Sequence, residues 1–385
     1  MTPWAWTFSG YAFRTGRREC SKKALAPARG LVPRTASAAA AAATALAALA
    51  ALVLVPGAAG ARGPRAATTA RFMRGVCWVA GGRIGPAHLD PLLRDHVSWI
   101  SQTPFGWQRR LDEPAIRLST GSFGFWGESD AGLIETTRLA HARGIRVLLK
   151  PHVWTHAGWV GAIAMKSEAD WAKWFQGYET FILHYADLAE RNGIEALAIG
   201  TELEGTTRRE REWRAVIARV RARYHGALVY CANWSGEVDR IRFWDALDWI
   251  GVQAYYPLSD RVDPSVEVLC AGWRGPLARL EALSRRLGKP VVLTEAGYHS
   301  LDTAASRPWE WDLRGNPSPG TQARCYESLL RCARANAWIR GIFFWKWFPD
   351  MARSDPARNT GYTPQNKPAE GVMARQYGAI ERSGG

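Results

Sequence analysis

The chain has 385 residues, 47% hydrophobic and 22% charged, a globular composition with room for one large domain or two ordinary ones. A formal net charge of +15 can mark a nucleic-acid binder. Here, however, the arginines are scattered through amphipathic segments such as RREREWRAVIARVRARYHG (208–226), as on a solvated helix face, so no nucleic-acid partner is expected.

Residues 1–61 read as a basic leader followed by an apolar, alanine-rich run, SAAAAAATALAALAALVLVPGAAGA (37–61). A basic region, an apolar core and small residues before a cleavage point are the order of a secretory signal, and AGA at 59–61 suits cleavage after Ala61. The mature protein is then secreted or periplasmic. The alternative is that the run of about 19 residues from Ala38 to Pro56 stays as a membrane anchor, the only case in which a membrane is a partner. The leader holds seven of the 50 Lys and Arg and one of the 35 Asp and Glu, so the remainder carries +9. A short linker (62–71) leads into a domain expected over 72–380, with a tail at 381–385.

From Arg71 onward, short apolar runs alternate with amphipathic segments. The runs are RGVCWVA (74–80), HVSWISQ (96–102), IRVLLKPHVW (145–154) and ALAIGTE (196–202), then ALVYCANW (227–234), DWIGVQAYY (248–256), PVVLTEAGY (290–298) and IRGIFFWKW (339–347). In EADWAKWFQGYETFILHYADLAERNG, aromatic and aliphatic residues recur every three or four positions from Trp171 to Tyr185, which predicts a helix ended by Gly193. A second helix is expected over 320–337. Strands that are continuously apolar are buried on both faces and pair in parallel. Eight of them alternating with helices predict an α/β fold, a (β/α)8 TIM barrel preceded by an N-terminal signal or anchor segment. A doubly wound open sheet is the competing layout, but GVCWVAGGRIG lacks the glycine spacing of a dinucleotide site. The long connection from Gln102 to Ser129, rich in Gly, Phe and Trp, is expected to form part of a cleft.

In such a barrel the chemistry sits where strands end at the C-terminal face. Two of these ends match: EALAIGTELEG (195–205) and KPVVLTEAGYH (289–299) each pass from an apolar run to Thr-Glu, with Glu202 and Glu295 separated by 93 residues. That is close to three strand-plus-helix units of about 30 residues each. A lone glutamate after a strand is as often a helix-terminal charge as a functional group. Two in register at that spacing point to paired carboxylates. Glu204 falls past the strand end and reads as a rim residue. The other strand ends supply Lys150, His152 and Trp154; Asn233 and Trp234; Gln253, Tyr255 and Tyr256; and Trp345, Lys346 and Trp347. Two carboxylates among aromatic faces are the equipment for cleaving a glycosidic bond, one protonated to assist the leaving oxygen and one ionised. Of the six cysteines none has a CxxC spacing, and no His/Asp cluster has metal spacing, so neither metal nor cofactor is expected. The chain holds 20 Trp, for each of which core packing competes with sugar stacking.

The motifs IGTELEG, DWIGVQAYYPL, KPVVLTEAGYHS, GIFFWKWFPD and GYTPQNKPAEGVMARQYG resemble those of glycoside hydrolase family 113, whose known members are β-1,4-mannanases. The resemblance spans roughly 72 to 378. It implies a retaining mechanism with Glu202 as acid/base and Glu295 as nucleophile, Tyr255 as hydrogen-bond donor to the nucleophile, and Trp345 as floor of the subsite for the cleaved sugar. His152, Asn233, Trp234 and Trp126 are further candidates for sugar contact, each with packing as the competing role. One departure stands out: the wider superfamily carries Asn before the acid, and this chain carries Thr201. The activity implied is hydrolysis of a β-linked polysaccharide, most simply endo-β-1,4-mannan. The alternatives are a related glycosidase acting on another β-glycan, including cell-wall sugar, and a non-catalytic glycan-binding barrel.

The leader reading has a direct test. N-terminal sequencing of the exported protein is expected to begin at Arg62, and recovery of residues 1–61 in a membrane fraction would establish the anchor instead.

Overall fold

The computed structural model describes residues 71–79, 81–118, 125–350 and 359–383; the expected leader and anchor segment at 1–61 lies outside them. The strands are, in chain order, β1 (Met73–Trp78), β2 (Trp99–Gln102), β3 (Phe105–Gln108), β4 (Ile116–Leu118), β5 (Arg146–Leu149) and β6 (His152–Trp154). There follow β7 (Ala196–Thr201), β8 (Ala227–Asn233), β9 (Trp249–Gln253), β10 (Val291–Ala296) and β11 (Ile339–Trp347). The helices are α1 (Asp90–Arg94), α2 (Asp130–His141), α3 (Glu168–Arg191), α4 (Glu210–Arg221), α5 (Glu237–Arg240), α6 (Val266–Leu287), α7 (Pro319–Arg334) and α8 (Pro368–Arg382). Serines 129, 167, 265 and 318 cap α2, α3, α6 and α7, each accepting from a backbone N–H in the first turn.

Eight strands close a barrel in the order β1-β11-β10-β9-β8-β7-β5-β2, and every pairing in it is parallel. This is the (β/α)8 architecture read from the sequence. One predicted strand divides. The run 145–154 breaks at Lys150-Pro151, because proline offers no N–H to continue a ladder. Its second half, β6, leaves the barrel and pairs with β3 in a separate three-stranded sheet, β4-β3-β6. The long connection from Gln102 thus carries two strands of its own, and β2 starts later than expected, after a turn in which His96 has φ 56°.

Side chains alternate along the barrel strands between two cores. Ile100, Val147, Leu197, Leu228, Ile250, Leu293 and Ile342 face the helices, while Met73, Trp99, Leu148, Ala198, Val229, Trp249, Val292 and Phe343 fill the lumen. Trp99 meets Trp249 edge-on at 6.2 Å and Phe343 at 6.3 Å, closing the lumen with large rings. Above them stand Cys77, Lys150, Cys231 and Thr294, all fully buried. The tryptophans accordingly split between roles, with Trp78, Trp99, Trp174, Trp213, Trp244, Trp249, Trp273 and Trp347 buried in the core. All five described cysteines are free thiols, and among the described residues no helix is long and apolar enough to cross a membrane.

Because Trp249 fills the lumen, Trp249→Ala leaves a void that its neighbours cannot close. The expected loss is about 3–5 kcal/mol, measured by denaturant unfolding.

Candidate active site

The barrel delivers Glu202 and Glu295 to the same end of the sheet. Glu295, near the end of β10, is only 3% exposed. Lys150, the residue just past β5, ion-pairs with its Oε1, and Tyr255 donates from its hydroxyl to Oε2 at 2.7 Å. The Lys150 ammonium also reaches the Thr294 carbonyl at 3.3 Å and lies 5.7 Å from the Trp345 ring centroid. Burial works to raise the Glu295 pKa, but the Lys150 charge and the Lys150 and Tyr255 hydrogen bonds outweigh it and hold the carboxyl below its ordinary value. Tyr255 is pushed far up by burial and by Glu295, so it stays a hydroxyl.

Glu202 has the opposite surroundings. It follows β7 with φ 52°, a left-handed backbone unusual for a non-glycine residue and of the kind stored at functional sites. Its N–H donates to the Cys231 carbonyl at 2.9 Å, and the next N–H, of Leu203, donates to the Tyr230 hydroxyl at 2.9 Å. Tyr230 in turn donates to the buried carboxyl of Glu237, whose other oxygen accepts the Asn233 N–H at 2.6 Å. Asn233 is oriented by Ser235, which donates to its Oδ1, so its Nδ2 is aimed at Glu202 Oε1 at 2.8 Å. Trp159 Nε1 approaches the other oxygen at 3.3 Å. Among the described residues none forms an ion pair with Glu202, and the Lys150 charge is the last of the influences that lower its pKa. Burial, and then the negative charge of Glu295, push its pKa to about 7, with the bonds from Asn233 and Trp159 opposing.

Glu202 lines a cleft of about 250 Å³, and the buried Glu295 adjoins it through Tyr255, which lines it too. Glu202 and Asn233 form one wall; Trp159, Trp234, Trp309, Trp345 and Tyr362 supply aromatic faces; Tyr255 sits over Glu295 at the floor. Trp234 and Trp309 pack at 5.0 Å between ring centroids, and Tyr362 is held by donating to the Pro308 carbonyl at 2.7 Å. Lys346 lies over the Trp311 ring at 4.6 Å, and burial brings its pKa down to about 8.

The residues singled out from the sequence fall into three groups. Glu202, Asn233, Trp234, Tyr255 and Trp345 line the cleft. His152 is not a cleft wall; its Nε2 stands 3.9 Å from Glu295 Oε1, and burial, followed by the Lys150 charge, lowers its pKa to about 3, so it is neutral. Trp126 belongs to the short turn Trp126–Glu128 ahead of α2, lies under the Arg83 guanidinium at 5.2 Å, and is not among the residues lining this cleft. Glu204 pairs with Arg240 at the rim. Thr201, in the place of the superfamily's asparagine, is buried, and the amide beside Glu202 comes instead from Asn233 on the neighbouring strand. Lys150 was visible as a strand end but carried no signal of its partner, and Trp159, Trp309 and Tyr362 come from loops that periodicity does not place. Among the described residues no group of His, Cys, Asp or Glu is gathered as a metal site requires.

The family model Glycoside Hydrolase Family 113 matches residues 85–367. The chain belongs to glycoside hydrolase family 113. Solved structures agree with that membership. A family 113 β-mannanase from Alicyclobacillus acidocaldarius, in complex with ManMIm, is similar at 30% identity with a TM-score of 0.72, over 80% of this chain and 98% of the other. A second, a family 113 β-1,4-mannanase, is similar at 27% identity and a TM-score of 0.71, over 80% of this chain and 99% of the other. No curated protein matches the chain. Membership makes the protein a glycosidase with a carbohydrate substrate, which places the two carboxylates and the aromatic cleft in the context of a sugar-cleaving family.

The electrostatics generate a prediction independent of turnover. In Lys150→Met the Glu295 carboxyl loses its buried counter-charge, and its pKa is expected to rise above the ordinary carboxylate range, read by carbon-detected NMR titration.

Proposed function

We propose that the protein is an endo-β-1,4-mannanase acting by retaining double displacement, with Glu295 as nucleophile and Glu202 as acid/base. The observation that carries the assignment of roles is the opposed electrostatics of the pair: Lys150 and Tyr255 hold Glu295 ionised, while Glu202, with no ion pair among the described residues, has its pKa pushed up to about 7 by burial and by Glu295. An ionised carboxylate at the floor can attack the anomeric carbon as Glu202 passes its proton to the leaving oxygen. Once Glu295 is bonded to the sugar its negative charge is gone, and the repulsion that raised the Glu202 pKa goes with it. Glu202 is then a carboxylate able to take a proton from the incoming water, and Lys150 stabilises the carboxylate that departs. Trp345 floors the cleaved sugar, and Trp159 and Asn233 keep the Glu202 oxygens aimed into the cleft. The mannan substrate is supported by the two similar family 113 enzymes, both described as mannanases. Residues 1–61 are proposed to direct export to the compartment where such a polymer is met.

The pH profile follows from the two directions of shift. Activity is expected to fall on the basic side near pH 7, as Glu202 loses its proton, and on the acidic side below the ordinary carboxylate range, as Glu295 gains one. Glu295→Gln is expected to abolish turnover of mannan. Glu202→Ala should slow polymer hydrolysis severely but spare glycosylation by aryl glycosides with good leaving groups, and azide should rescue it to give a product of retained configuration. NMR of the first-formed anomer decides the stereochemistry, and an inverted product refutes double displacement. Sugar release from xylan or cellulose but not from mannan refutes the substrate while leaving the mechanism.

A further inference from the structure

The small sheet β4-β3-β6 presents two faces with different content. Parallel pairing sets Phe105 beside His152, Gly106 beside Val153 and Trp107 beside Trp154. Residues two apart share a face. Gly106 faces α3 so closely that a Cβ there would come within 2.5 Å of the Phe181 ring, and Val153 is 5% exposed, so this face is packed core. The opposite face starts at His152, against Glu295, and continues about 7 Å further along the strand to Trp107 and Trp154. Five residues beyond Trp154 the same segment reaches Glu202 through Trp159. The stretch 152–159 therefore touches both carboxylates, and Trp154 lies between those contacts.

These tryptophans are not spent on packing. Trp107 is 37% exposed and Trp154 is half-buried, whereas the core tryptophans of this chain are almost wholly covered. Trp107 and Trp154 meet edge-on at 4.7 Å between ring centroids, and His156 stands edge-on to Trp154 at 4.1 Å, which braces the rings at an angle instead of stacking them face to face. A braced aromatic face, apolar in the middle and polar at the His156 edge, fits the C–H face of a pyranose ring with its hydroxyls at the rim. Trp107 and Trp154 follow the second and third strands of the barrel, whereas Trp234 and Trp309 of the cleft follow the fifth and seventh, so the two aromatic groups belong to different parts of the rim.

We propose that Trp107 and Trp154 form a remote subsite that holds a sugar ring of the bound glycan chain beyond the bond being cleaved, and that this subsite makes the enzyme favour long chains. The proposal rests on the reading of the cleft as a β-glycan hydrolase site. It is tested with Trp107→Ala and Trp154→Ala, and with Trp154→Phe as the variant that keeps a ring. kcat/KM is measured on a length series of mannan oligosaccharides and on a short aryl glycoside, and affinities for the same oligosaccharides are measured by calorimetry. The alanine variants are expected to lose about tenfold or more in kcat/KM and in affinity on long chains, chiefly through KM, the order seen when an aromatic anchor is truncated. On the aryl glycoside they should stay within about twofold, because uniform binding of a remote ring is all that is removed, and Trp154→Phe should recover part of the loss. Equal losses on long and short substrates, or unchanged affinity for every chain length, overturn the subsite. If another β-glycan is cleaved in place of mannan, the length series is run on that glycan: a length-dependent loss there sinks the mannan reading and leaves the subsite standing.

Discussion

The ion pair between Lys150 and Glu295 is the constraint around which the rest of this molecule is arranged. Both side chains are almost completely withdrawn from water. A charge so placed is tolerated only with a partner and further hydrogen bonds, and removing one member strands the other at a cost of about 3–5 kcal/mol. The barrel supplies those bonds at the level where its strands end: the Thr294 carbonyl for the ammonium, the Tyr255 hydroxyl for the carboxylate. Below the pair the lumen is filled with large rings, Trp99, Trp249 and Phe343.

Glu202 takes its character from that neighbour. The two glutamates are the same residue type at matching strand ends, but of the two only Glu295 has an ion-pair partner among the described residues. The negative charge held at Glu295, added to burial, pushes Glu202 toward neutrality and leaves a carboxylic acid with a pKa near 7 facing a carboxylate with a depressed one. The network through Tyr230, Glu237 and Asn233 then settles orientation, because each of those groups is fixed by a hydrogen bond before it reaches Glu202. The positive φ at Glu202 is part of the same device: the chain turns out of the strand in one residue, and the carboxyl is presented to the cleft without continuing along the barrel wall.

Pro151 shapes the other side of the site. It ends the third barrel strand directly after Lys150, so the lysine stays in the lumen while His152 and Trp154 are carried into a second sheet. One break thus places a cation under Glu295 and an aromatic surface beside it. The segment that follows returns to touch Glu202 through Trp159, which links the second sheet to both carboxylates.

The sequence by itself determined the barrel and the two glutamates. Buried parallel strands are continuous apolar runs, their ends are sharp, and a closed barrel turns strand order into angular position, so Glu202 and Glu295 can be placed from spacing, whereas Tyr255 and Trp345 stand out from the other strand-end residues only through the family resemblance. Only the tertiary structure decided which charges meet. A lone Lys150 at a strand end reads as one more solvated lysine until the lumen closes over it. Trp159, Trp309 and Tyr362 sit on loops whose path has no periodicity, so nothing in their spacing points to the cleft. Trp126 shows the same limit from the other direction: it lies in a Gly- and Phe-rich connection of the expected composition, and its contact with the Arg83 guanidinium could not be read from that composition. Strand ends are set by hydrogen-bonded registers common to every barrel, whereas loop side chains depend on contacts between segments far apart in the chain, and those contacts exist only once the chain has folded.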